Sequence, residues 1–145
     1  MTRAEIALEK FGDFHCAQSV VYAFADDSGI DADTLLALAT GFGVGIGRKQ
    51  EVCGAVAGAV LLLGARYGRR ANDSVGKTER SFDEIRLFMD EFTRTTGTIK
   101  CLDLLGGCDL TTDEGRQKFQ QQDLKNKVCR KCIEKACELL QPHFR

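Results

Sequence analysis

The chain lacks tryptophan altogether and has one proline in 145 residues, Pro142, close to the C-terminus. Its interior is therefore free of the residue that most strongly breaks helices. A basic excess is missing too: twenty Lys and Arg against twenty-one Asp and Glu leave a net charge of −1. Nucleic-acid binding is dominated by contacts from a basic surface to phosphates, so no nucleic acid is expected as a partner. No long apolar run is present. The longest, Cys53 to Ala65, has thirteen residues with three glycines among them, whereas a membrane-spanning helix needs about twenty, so no membrane insertion is expected. The opening residues Met1-Thr2-Arg3-Ala4-Glu5-Ile6 put an acid where an export signal would be apolar, and the expected compartment is cytoplasmic. No two neighbouring segments alternate apolar and polar residues as a hairpin requires.

Cysteine, by contrast, is abundant, at seven residues. A chain of this length does not need disulfide staples, the count is odd, and a reducing compartment would keep the thiols free. Free cysteine also behaves as a small core hydrophobe, which accounts for any one of the seven taken alone. All seven together point toward metal ligation or redox chemistry. The rest of the composition, 43% hydrophobic and 28% charged, is ordinary for a globular protein and excludes wholesale disorder.

Helical spacing recurs along the chain. Thr2-Arg3-Ala4-Glu5 reads as a capping box. Asp13 is expected to cap a second helix through about Phe24, in which Cys16, Val20 and Phe24 recur every four residues. Asp31 or Asp33 caps a third, short helix. Gly41 to Gly47, with alternate glycines, reads as a loop, and Glu51 to Tyr67 as a buried helix. Phe82, Ile85, Phe88, Met89 and Phe92 place a helix over Thr78 to Thr95. A short apolar helix surrounds Cys101, Asp113 to Gln122 is polar, and a last helix runs from about Leu124 to Gln141. The expected fold is all-α, a single compact domain of six to seven helices spanning residues 1–145.

Several motifs bear on chemistry. The Gly41–Gly47 loop lacks the spacing and the preceding strand of a dinucleotide fingerprint, so no nucleotide is expected. Ala71 to Thr78 matches a relaxed P-loop pattern by chance, since no parallel strand precedes it. Cys53-Gly54-Ala55-Val56-Ala57-Gly58 offers a smooth face on which another backbone can approach closely. Some of the glycines from Gly41 to Gly47 are expected at positive φ, in a loop that folds the Cys53 helix against the Cys16 helix, and Gly45→Val should destabilise the domain if Gly45 is one of them. Cys129-Arg130-Lys131-Cys132 is a C-x-x-C whose sulfurs share one helical face. Lys100, Lys127, Arg130 and Lys131 are expected to favour thiolate at their neighbouring cysteines. His15 is expected on the surface, about 100° round a helix from Cys16, and His143 in a tail. Neither supports a Cys/His hydrolase.

Taken together, these segments resemble the redox-active protein family labelled by its pattern C…GCAxxG…C…C, over nearly the whole chain. His15-Cys16-Ala17-Gln18-Ser19-Val20 is similar to the first cysteine segment of that family. Gly41 to Arg48 with Cys53 to Gly58 is similar to its glycine loop and central motif, with cysteine preceding glycine. Cys101-Leu102-Asp103-Leu104-Leu105-Gly106 is similar to the third segment and Cys129 to Leu140 to the last. In that last segment Ile133, Ala136, Leu139 and Leu140 set the register on Cys129, which leaves Cys108, Cys132 and Cys137 as extras. The module also resembles part of the split-Soret cytochromes, which carry a non-haem iron–sulfur centre beside haem-binding segments. No haem motif is present, because Ile133 stands where C-x-x-C-H requires histidine.

The resemblance implies a redox or electron-transfer protein with a [2Fe–2S]-type centre on Cys16, Cys53, Cys101 and Cys129, with Cys132 as a candidate further ligand. These four are 37, 48 and 28 residues apart in sequence and are expected to converge. Three alternatives stand beside it: metal-free dithiol–disulfide chemistry, a structural Cys₄ zinc domain serving as an interaction module, and inert core cysteines. The redox partner is not identified by the sequence, and a homodimer is left open.

Overall fold

A computed structural model describes residues 1–145 and contains nine α-helices and no strand, so the all-α expectation holds. Helix α1 (Arg3–Lys10) starts at the expected capping box, with the Glu5 amide donating to Thr2 Oγ1 at 3.1 Å and the Thr2 amide to Glu5 Oε2 at 2.8 Å. Helices α2 (Cys16–Ala23), α3 (Ala25–Ser28) and α4 (Ala32–Ala39) follow. Asp31 caps α4, accepting from the Thr34 amide at 3.0 Å. The cap of α2 differs from expectation. Gly12 takes φ +122 and its amide bonds Phe14 O, which bends the chain before a helix can start. His15, not Asp13, then caps α2 through Nδ1, which accepts from the Gln18 amide at 3.3 Å.

Helix α5 (Gly54–Tyr67) begins three residues later than the apolar pattern suggests. Glu51 to Cys53 are drawn instead into a short antiparallel bridge. The Cys53 amide donates to Ile99 O at 2.7 Å, and the Cys101 amide to Glu51 O at 2.6 Å. From Gly54 to Ala59 every residue of α5 is buried, as befits a helix that is apolar all round. The amphipathic α6 (Gly76–Thr96) ends at Gly97, whose φ of +91 is a left-handed stop. After the single turn α7 (Cys101–Leu104) come α8 (Asp113–Gln121) and α9 (Arg130–Leu140). The expected continuous last helix is interrupted: residues Lys125–Cys129 form a π-turn that runs into α9.

Helices α2 and α5 pack at the centre, with α1 and α4 against α2 and α6 against α5, while α9 crosses α1, α5 and α6. Their contact needs glycine. A Cβ on Gly58 would lie 2.8 Å from Ala17 O, and one on Gly54 would collide with Cys16 Sγ. Phe24, Phe92, Leu62, Leu63, Ile133 and Leu140 fill the main core. A second, smaller apolar cluster of Cys101, Leu105, Cys108 and Leu110 sits apart from it. His143 is not in a free tail, because its Nδ1 lies 2.7 Å from Tyr67 Oη. No helix is long and apolar enough to cross a membrane.

Candidate functional site

Between the two clusters lies an apolar cavity of about 160 Å³, walled by the sulfur-bearing residues Cys16, Cys53, Cys101, Cys129 and Cys132. Each is brought there by a different local device. Cys16 is the first residue of α2 and Cys53 the cap residue of α5. Cys101 opens α7, and the antiparallel bridge splices the segment before it onto the one that carries Cys53. Cys129 ends the π-turn, and Cys132 lies in the first turn of α9. Cys53, Cys101 and Cys132 are buried, and Cys16 and Cys129 half-buried. All seven cysteines are free thiols; Cys108 and Cys137 lie outside this cavity, Cys108 donating to Gly115 O at 3.1 Å.

The electrostatics single out one sulfur. The Cys53 thiol is pulled below its ordinary pKa, chiefly by the Cys132 thiol donating to it. Burial opposes this, and the Ala55 and Val56 amides at the open end of α5 help it. Its partner Cys132 is driven strongly upward, first by that same bond and then by burial. The others are pushed up mainly by burial, with repulsion from neighbouring thiolates adding to it. Cys16 reaches about 11, held back by the Val44 amide, while Cys101 and Cys129 reach about 12. The neighbouring cations therefore do not favour thiolate at Cys101 and Cys129 as expected: Lys100, Lys127 and Lys131 stand exposed to water, while desolvation inside is the larger effect. A cavity that can ionise one thiol freely cannot ionise several without a positive charge among them.

Two supporting features were not legible as site features in the sequence, and a third, Cys132, was named only as a candidate further ligand. His15 is not a detached surface residue: it lines the cavity beside Cys16, with Nε2 2.9 Å from Thr40 O. Its ring occupies space left by Gly43, where a Cβ would come within 2.5 Å. Gln50, 2% exposed, donates from Nε2 to Cys108 O and accepts at Oε1 from the Leu110 amide, both at 2.8 Å. It thereby fastens the 108–110 loop over the cavity floor, and its side chain also reaches Cys101. The only local signal was a polar residue ahead of an apolar helix. Thirdly, Cys132, an extra by register, lines the same cavity as Cys53 and is the main influence on its thiol; the C-x-x-C spacing had placed its sulfur on the same face as Cys129.

The glycine loop makes this arrangement possible at some backbone cost. Val44, Gly45, Ile46, Gly47, Arg48 and Gln50 all take left-handed φ between 51° and 69°. For the non-glycine residues that costs on the order of 1 kcal/mol or more apiece. Bonds that span the loop hold it, including Gln50 N to Val44 O at 3.1 Å and Glu51 N to Gly45 O at 2.8 Å.

The donor set and the space can be weighed against a metal. No three His, Cys, Asp or Glu side chains gather at the spacing a single ion demands. A mononuclear zinc site needs four ligand atoms about 2.0–2.3 Å from one point. Five thiols instead surround a volume similar to the roughly 150 Å³ apolar cavity that admits benzene, large enough for a core of several atoms. Cys16, Cys53, Cys101 and Cys129, once deprotonated, are soft donors of the number and kind used by iron–sulfur cores and by Cys₄ zinc sites alike.

A family model described as "Putative redox-active protein (C_GCAxxG_C_C)" matches residues 14–142. No curated protein and no solved structure matches the chain.

Proposed function

The chain belongs to that C_GCAxxG_C_C family, and from this premise we propose that its thiol-lined cavity holds a [2Fe–2S]-type centre for electron transfer. Cys16, Cys53, Cys101 and Cys129 are the proposed ligands, with Cys132 standing by Cys53. When bound, the group supplies one-electron chemistry at a potential set by burial and by hydrogen bonds to its sulfurs. The observation that carries the reading is the convergence of five thiols from four separated segments on one apolar space. Thiols raised by burial and mutual repulsion are the groups whose deprotonation a cation in the cavity would offset. The helix starts at Cys16 and Cys53 turn amides toward sulfur, which favours net negative charge there. Cys53, Cys101 and Cys132 are shielded from water by the apolar walls. Iron and acid-labile sulfide assayed on anaerobically purified protein test this: about two of each per chain supports it, and a full set of free thiols without iron refutes it.

A second reading rests on the Cys53–Cys132 contact alone. A depressed thiolate facing a protonated thiol is the pairing that dithiol–disulfide chemistry uses: the thiolate attacks a substrate disulfide, and the second thiol resolves the mixed disulfide. The iron assay separates the two.

A further inference from the structure

The cavity has a neighbour that the redox reading leaves unused. A surface groove of about 460 Å³ adjoins it and shares four of its lining residues, Val44, Leu110, Phe119 and Lys125. Three of these are apolar and form the common wall. Around the outer part stand Arg48 and Arg116 beside Lys125, against a single acid, Asp123. On a chain of net charge −1 this is a local excess of positive charge.

The charges are not equivalent. Arg116 is engaged, pairing with Asp113 and donating to Leu110 O at 3.0 Å. Asp123 accepts from Asn126 Nδ2 at 2.8 Å. Arg48 and Lys125, both exposed, make no ion pair; the Lys125 ammonium lies 5.0 Å over the Phe11 ring. Arg48 is carried on left-handed backbone, φ 63°, so its position is set by the loop that also shapes the cavity. An apolar wall with two unpaired cations at its rim complements a particular chemistry. The volume falls in the range of small-molecule sites, about 300–1,000 Å³, and a concave surface of one sign concentrates ligands of the opposite sign.

We propose that this groove binds a small organic anion, a carboxylate or phosphate ester with an apolar body, and holds it against the wall it shares with the thiol cavity. The apolar body lies on Val44, Leu110 and Phe119, and the anionic group meets Arg48 and Lys125. This goes beyond the redox reading and stands on the shape and charge of the groove rather than on the nature of the centre.

Equilibrium dialysis of the full chain, as isolated, against two dyes tests it. Anilinonaphthalene sulfonate carries the anion; N-phenylnaphthylamine has the same ring body without charge. The expected result is one saturable site with the anionic dye bound at least tenfold tighter than the neutral one. Arg48→Gly removes the cation while leaving a residue suited to the left-handed backbone, so it should not unfold the loop. That variant and Lys125→Gln are each expected to weaken the anion at least threefold and leave the neutral dye unchanged. Equal affinity for the two dyes, no saturable site, or indifference of the anion to both variants overturns the proposal. Iron content is read on the same samples. Charge-selective binding without iron supports the groove and removes the centre; iron without charge selectivity does the reverse.

Discussion

Replacing Gly54 by alanine perturbs the fold and the site at one atom. The added Cβ would overlap Cys16 Sγ and stand 3.0 Å from Phe42 O and 3.2 Å from Ala17 N. Ordinary contact is about 3.5–4 Å, so the sulfur must move by about 1 Å or more. It hangs on one rotatable bond, so a change of rotamer that shifts it from its place on the cavity wall is the cheapest relief. The alternative, retreat of α2 from α5, also breaks the close seat of Gly58 on Ala17. Overpacking of this kind costs about 1–3 kcal/mol. Removing glycine from a helix returns at most about 1 kcal/mol, so the net loss is of the order of 0–2 kcal/mol. Gly64 on the same helix is the internal control, because nothing lies within 4 Å of its Cβ position. Gly64→Ala should stabilise by about 0.5–1 kcal/mol. Urea unfolding of both variants, with mass-spectrometric rates of Cys16 alkylation, reads the outcome. The expectation is that Gly54→Ala is the less stable of the two and exposes Cys16 to alkylation several-fold faster than in the parent. Equal stability of the two variants, with unchanged alkylation of Cys16, would refute the reasoning.

Three further outcomes are expected. Gly45→Val combines φ +69 with a Cβ set against the Gln50 backbone, so it should destabilise by at least about 2 kcal/mol; Gly47→Ala, with φ +59 and open space, should lose only about 1 kcal/mol, and equal denaturation midpoints for the two would contradict this. The metal-free, reduced chain should weaken in alkali: Cys101, Cys129 and Cys137 are held at about 12, above the ordinary 9.0. Their contribution is complete below about pH 9 and is lost as pH rises toward 12, because the unfolded chain gives up those protons first; a urea midpoint that rises between pH 8.5 and 10.5 would show the sign to be wrong. Cys129→Ser should abolish iron binding while Cys132→Ser retains most of it, since serine is a poorer soft-metal ligand; equal iron loss in the two would make the C-x-x-C pair act as a unit.

Much of this was legible in the sequence where the signal is local. The capping box, the Asp31 cap, the α6 periodicity and the small-residue face at Cys53 follow from patterns a few residues long. Chain segments that answer to distant partners were harder to read. Glu51 to Cys53 look like the start of a buried helix, but the Cys53 amide and the Glu51 carbonyl are claimed by Ile99 and Cys101, almost fifty residues away. The π-turn that ends at Cys129 leaves no mark on an apolar pattern that tolerates one extra residue. His15 reads as a surface residue until Gly43 is seen to vacate the space its ring fills. At the site, Cys16, Cys53, Cys101 and Cys129 were named through the family pattern and share one cavity. Gln50 and the facing of Cys132 on Cys53 depend on tertiary contact and could not be named.

The central claim is that the thiol cavity carries a one-electron centre. Reductive titration of the protein as isolated, anaerobically and with the visible spectrum recorded at each step, addresses it most directly. The account predicts charge-transfer bands that bleach with about one electron per chain, and no such bands in Cys53→Ser. A colourless protein that takes up two electrons per chain and gains two thiols, mapped to Cys53 and Cys132, would contradict it.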